Sequence, residues 1–81
     1  MQIRVKLFAS LRERAGIPEL ELELSAGATV DDAVRTLRER VPAIQGYRTS
    51  VAYAVNRSYA KPDRLLNDGD ELALIPPVSG G

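Results

Sequence analysis

The 81-residue chain contains no cysteine, no histidine and no tryptophan. Without thiols or imidazoles it has no disulfide, no thiolate or imidazole ligand for a metal, no thiol nucleophile and no Ser-His pair. Reactive chemistry involving this chain therefore falls to an atom other than a side chain. An excess of charge of either sign is also missing: eleven Lys and Arg balance eleven Asp and Glu, with a pI near 6.2. That balance, without any block of like charge, argues against a nucleic-acid footprint or a polybasic membrane patch. No long apolar run exists either. Arg4 and Lys6 interrupt the only apolar stretch near the N-terminus, so neither a signal peptide nor a membrane span is read, and the expected location is cytoplasmic. In that setting the sequon Asn56-Arg57-Ser58 is a chance match. Repeats, linkers and low-complexity segments are absent, and the length allows one domain that buries roughly 60% of its unfolded surface.

What stands out instead is the ending, Pro76-Pro77-Val78-Ser79-Gly80-Gly81. Glycine is about 7% of average residues, so a terminal Gly-Gly pair arises by chance in roughly one chain in two hundred. A frayed tail is the competing reading. The residues before the pair weigh against it. Leu72-Ala73-Leu74-Ile75 reads as a strand, which Pro76-Pro77 stops because proline has no ladder N–H and a fixed φ. The expected result is a thin arm thrown clear of the sheet, with two residues able to pass where a Cβ cannot. It would present its carboxylate to another protein's active site.

Hydrophobic periodicity assigns the rest. Ile3, Val5 and Leu7 alternate with Gln2, Arg4 and Lys6, giving a strand over 2–8 with one buried face. Ser10-Leu11-Arg12-Glu13 has capping-box spacing and Gly16 with Pro18 supplies a stop, so a short helical turn follows. Leu20, Leu22 and Leu24 alternate with Glu19, Glu21 and Glu23 in a second strand. Those glutamates are read as a solvated face rather than a metal site. Thr29 caps the main helix with Asp32 in capping-box position, and Val30, Ala33, Val34, Leu37 and Val41 form its apolar stripe before Pro42 ends it. Val51–Val55 reads as a third strand, residues 56–64 as irregular, Asn67-Asp68-Gly69-Asp70 as a turn, and 71–75 as the last strand.

This order describes an α+β domain over residues 1–75, a mixed sheet with one main helix packed across one face, followed by the extended tail 76–81. One amphipathic helix covers one face, so the other is solvated or is an interface. Strand parity turns Phe8 and Ile75 onto that second face. If the first and last strands are central neighbours, these two residues form an apolar docking patch at the root of the tail.

The residues then resemble a known family. Phe8-Ala9-x-Leu11-Arg12-Glu13 with Gly16, Ala54-Val55-Asn56, Leu66-x-Asp68-Gly69-Asp70-Glu71 and the six-residue ending are together similar to the small subunit of molybdopterin synthase, over essentially the whole chain. The resemblance implies a ubiquitin-like β-grasp and a sulfur carrier in molybdenum cofactor biosynthesis. Members often carry an aromatic residue before the Pro-Pro pair, where this chain has Ile75.

The resemblance also implies a mechanism. A ubiquitin-activating-like adenylyltransferase, using ATP-Mg, adenylates the Gly81 carboxylate. A persulfide donor displaces AMP and leaves a thiocarboxylate. The large synthase subunit, expected in a heterotetramer with this chain, then receives the arm and passes the sulfur to cyclic pyranopterin monophosphate. Gly81 carries the sulfur, Gly80 supplies clearance, and Val78 and Ser79 with Pro77 and Pro76 form the tail that enters the partner. Phe8, Tyr59 and Ile75 dock the body. No cofactor is bound stably and no metal is held. Three alternatives remain at this level: a thiamine-pathway sulfur carrier, a ubiquitin-like protein modifier, and a β-grasp binding module with an inert tail.

Overall fold

Residues 1–47 and 50–77 are described in the computed structural model. The chain runs through β1 (Gln2–Leu7), α1 (Ala9–Ala15), β2 (Glu19–Glu23), α2 (Val30–Arg40), a 3-10 turn (Pro42–Ile44), β3 (Ala52–Val55), β4 (Ser58–Ala60) and β5 (Glu71–Ile75). The strands form one five-stranded sheet in the order β2-β1-β5-β3-β4. β1 and β5 pair in parallel at its centre, with Val5 opposite Leu72 and Leu7 opposite Leu74. The pairs β1–β2, β3–β5 and β3–β4 are antiparallel. This mixed sheet with one main helix across it is the β-grasp arrangement expected above.

The core lies between the sheet and α2. Ile3, Val5, Leu7, Leu22, Val55, Leu72 and Leu74 face Val30, Ala33, Val34 and Leu37 of the helix, and all are buried. Each fully buried Leu or Val contributes about 1.5–3 kcal/mol of transfer free energy, so this layer is the main source of stability. Its period is the one read from the sequence: alternate residues in the strands, and the 30-33-34-37 stripe in the helix.

α2 starts where Thr29 caps it. The Thr29 Oγ1 accepts from the Asp32 N–H at 3.2 Å, and the Asp32 carboxylate accepts from the Thr29 N–H at 2.9 Å. The next two free helix donors are also taken, since the Val30 and Asp31 N–H groups donate to the carbonyls of Arg64 and Pro62, each at 2.9 Å. The segment after β4 is thereby stitched to the start of the helix, and the helix N-terminus has its orphan donors satisfied.

Four expectations change in detail. β1 ends at Leu7 rather than residue 8, although Phe8 keeps an extended backbone with φ −128° and ψ 158°. The capping box expected at Ser10 does not form, because α1 begins at Ala9 with Phe8 as its N-cap and no side-chain capping bond. Ser10 is instead hydrogen-bonded to the buried Tyr47, with 2.8 Å between the two hydroxyl oxygens. The stretch read as irregular contains β4, because Asn56 and Arg57 form a two-residue hairpin turn closed by the pair Val55 and Ser58. β5 ends at Ile75 as its prolines suggested, but Pro76 is buried and only Pro77 is exposed, so the exposed tail begins one residue later than expected.

The hydrogen bonds from Thr29, with Arg35 nearby as a further cause, hold the Asp32 carboxyl below its ordinary range. A carboxyl with a lowered folded-state pKa contributes stability above its unfolded pKa and loses it as pH falls through the folded value. Asp32→Ala, which removes the carboxylate and leaves Thr29 in place, should lower the urea midpoint at neutral pH. Urea denaturation at stepped pH should show the gap between wild type and variant shrinking in acid as Asp32 protonates. A gap independent of pH would show that the carboxylate takes no part in the cap.

Candidate functional site

The sheet face opposite α2 divides into two halves. On β2 and β1 it is charged: Arg4 pairs with Glu19 at 3.3 Å and Glu21 at 3.7 Å, both exposed. These are the glutamates read above as a wet face, and pairs this exposed add little stability. Toward β5, β3 and β4 the face becomes apolar. There Lys6, Phe8, Ala54, Arg57, Tyr59, Glu71, Ala73 and Ile75 line a depression of about 330 Å³.

Register explains the hollow. Ala54 pairs with Ala73 on one side and Tyr59 on the other, and Lys6 lies opposite Ala73. Two methyl side chains in adjacent strands leave a floor that the larger residues around it overlook. Tyr59 is 81% exposed and Phe8 40%, a large amount of unburied aromatic surface for so small a sheet. The three docking residues expected from sequence, Phe8, Tyr59 and Ile75, are therefore brought together in one basin. Ile75 and Tyr59 also line a second depression, of about 460 Å³, with Ser50, Val51, Ala52, Pro76 and Pro77. The basin thus runs continuously to the point where the chain leaves the sheet. Val78, Ser79, Gly80 and Gly81 lie outside the described residues.

Sequence reading passed over Ala54, Ala73, Lys6, Arg57 and Glu71. The same parity that turned Ile75 outward places Ala73 beside it on that face, so the signal was present. Arg57 had no such signal, since its place follows from the unexpected hairpin.

A polar clamp fixes the hairpin end of the basin. The Asn56 amide Nδ2–H donates to the Asp70 carboxylate at 2.9 Å, and its Oδ1 accepts from the Glu71 N–H at 3.0 Å. The Asn56 N–H donates to the Glu71 carbonyl at 2.8 Å. Asp70 is buried, and its other oxygen accepts from the Asn67 N–H at 2.8 Å. On the β1 side the Gly69 N–H donates to the Gln2 carbonyl at 2.7 Å, and the Gln2 N–H to the Asp68 carboxylate at 2.8 Å. Gly69 has φ 86°, a conformation that leaves this position to glycine. The segments Ala54-Val55-Asn56 and Asp68-Gly69-Asp70-Glu71 are therefore one structural device rather than a reaction centre.

Comparison with known proteins decides the kinship. Residues 5–81 match the ThiS family. The chain belongs to that family. This ThiS-family chain is 41% identical over 83 residues to the molybdopterin synthase sulfur carrier subunit of Chlamydomonas reinhardtii, covering 100% of both proteins. It is 37% identical over 81 residues to the Arabidopsis thaliana protein of the same name, covering 100% of the chain and 84% of that relative. The crystal structure of SAMP1 from Haloferax volcanii superposes with a TM-score of 0.92 at 34% identity, covering 100% of both chains. A chain from the complex of subunits 1 and 2 of the molybdopterin-converting factor of Helicobacter pylori superposes with a TM-score of 0.71 at 21% identity, covering 100% of both, a likeness of fold. The resemblance read from the motifs and the ubiquitin-like β-grasp are both borne out. Among the described residues no helix is long and apolar enough to cross a membrane.

The clamp and the basin should separate in mutagenesis. Asp70→Ala leaves the Asn67 N–H and the Asn56 amide without their partner, so unfolding free energy should fall by about 2 kcal/mol or more. Ile75→Ser, on the open face, should cost about 1 kcal/mol or less. Urea midpoints in the reverse order would place Ile75 in the core.

Proposed function

We propose that the chain is the sulfur carrier of a molybdopterin synthase and works in the cytoplasm. The observation that carries this reading is full-length kinship with proteins of that name, joined to an apolar basin that runs to the root of a Gly-Gly tail. An adenylyltransferase of the ubiquitin-activating kind, with ATP-Mg, joins the Gly81 carboxylate to AMP and releases pyrophosphate. A persulfide sulfur attacks the acyl carbon and AMP leaves. Thiol cleavage of the resulting S–S bond gives the thiocarboxylate, a softer and better nucleophile than the carboxylate it replaces. Seated on the large subunit, with which the chain assembles as a heterotetramer, the tail delivers this sulfur to cyclic pyranopterin monophosphate for the dithiolene. Phe8, Tyr59 and Ile75 dock the body. Gly80, Ser79, Val78, Pro77 and Pro76 carry the reacting end away from the sheet.

A second reading, a protein modifier joined through Gly81 to lysines, is favoured by the likeness to the small archaeal modifier protein 1 of Haloferax volcanii. Both readings share the adenylation step and part after it.

Intact-mass measurement of the chain co-expressed with its activating enzyme should show one terminal oxygen replaced by sulfur. Deleting Gly81, or adding a residue after it, should abolish that change and molybdopterin formation while leaving the thermal midpoint within about 2 °C of wild type, since chain ends beyond the core contribute little burial. Normal molybdopterin formation by either variant would contradict the carrier reading, and Gly81 found mainly in isopeptide linkage would select the modifier.

Ile75→Lys should weaken binding to the large subunit by at least about a hundredfold, because a lysine ammonium would be held unpaired in an apolar contact. Isothermal titration with the folded variant checks this, and wild-type affinity would remove the basin from the interface.

A further inference from the structure

Arg57 occupies a position that its side chain does not favour. The hairpin turn between β3 and β4 has Asn56 at φ 50° and Arg57 at φ 72°, the two positive values that a type I′ turn requires. Asparagine tolerates this conformation, and Asn56 is held in it by Asp70 and Glu71. Arginine has no such device, and glycine is the residue the second position prefers. Among the described residues the other non-glycine residue in the left-handed region is Ala9, with φ 51°, directly after Phe8. Both backbone outliers without a local explanation therefore adjoin the same basin, the distribution expected where strain is retained for function.

The charges lining the basin point the same way. They are Lys6, Glu71 and Arg57. Lys6 and Glu71 satisfy each other at 3.3 Å, whereas Arg57 has no ion pair among the described residues and sits beside the exposed Tyr59. One uncompensated guanidinium thus overlooks the apolar floor of Ala54 and Ala73. Resting on the sulfur-carrier reading, we infer that Arg57 is a specificity residue for the large subunit, recognising a carboxylate that flanks the apolar side chain seated on this floor. The large subunit is the occupant because the basin continues through Ile75 to Pro76 and Pro77, so a protein that takes in the tail covers it. A planar guanidinium offers such a carboxylate paired donors in fixed geometry.

The experiment compares wild type, Arg57→Gly and Arg57→Lys for thermal midpoint and for affinity to the large subunit from the same organism, at low and high salt. Arg57→Gly should melt a few degrees higher, through relief of the left-handed residue, yet bind about tenfold or more weakly at low salt, with the gap narrowing as salt rises. Arg57→Lys keeps both charge and strain, so it should melt with wild type and recover part of the lost affinity. Wild-type affinity for Arg57→Gly, a lower melting temperature for it, or a gap unaffected by salt would overturn the assignment while leaving the carrier reading in place. Failure of wild type itself to bind the large subunit would overturn that reading as well.

Discussion

The parallel pairing of β1 with β5 is the constraint on which the rest of the molecule depends. Parallel neighbours finish at the same edge of a sheet, so Leu7 opposite Leu74 brings the end of the first strand beside the end of the last. Phe8 and Ile75 follow them by one residue on each strand and turn together onto the open face. An antiparallel pairing would have put Phe8 beside Glu71, a full strand length from the tail. Parallel strands cannot be joined by a tight turn, and the long connection they need here includes α2, which covers the inward face and leaves the outward one free. Fold and open apolar basin are therefore consequences of a single register.

That register is held at the opposite edge of the sheet by polar groups. Asn56, Asp68 and Asp70 tie three chain segments together through their side chains and the backbone amides of Gln2, Asn67 and Glu71. A buried carboxylate is tolerated only when its oxygens are matched by donors, and Asp70 has them. Motifs of this kind invite a catalytic interpretation. Their geometry assigns them to fixing the start of β5, from which the tail is projected at a set place.

Much of this was legible in the sequence, for identifiable reasons. Ile3-Val5-Leu7 and the 30-33-34-37 stripe carry clean periods, Thr29 and Asp32 have the capping-box spacing they realise, and Gly16 and Gly69 stand where positive φ values of 78° and 86° are needed. Parity alone turned Phe8 and Ile75 onto the open face, whereas Tyr59 came only with the family resemblance. What escaped was decided by tertiary context. Ser10 matched a capping box, but the helix starts two residues earlier than that cap requires, and the Ser10 hydroxyl meets Tyr47, 37 positions away. The β3–β4 hairpin was hidden because its turn reads Asn-Arg rather than Asn-Gly. The basin floor of Ala54 and Ala73 was overlooked because small residues draw attention only when two strands bring them side by side. The burial of Pro76 shows that a proline without a ladder N–H still packs as an apolar ring.

The central claim is that the folded body positions and docks, while the transferred atom travels on the C-terminal carbonyl of Gly81. The most direct measurement is a single turnover with the chain carrying isotopically labelled sulfur as its terminal thiocarboxylate, mixed with the large subunit and cyclic pyranopterin monophosphate. The account predicts that the label appears in the dithiolene product and that Gly81 returns to a carboxylate at the same rate. Label remaining on the chain while product forms from another sulfur source would contradict it.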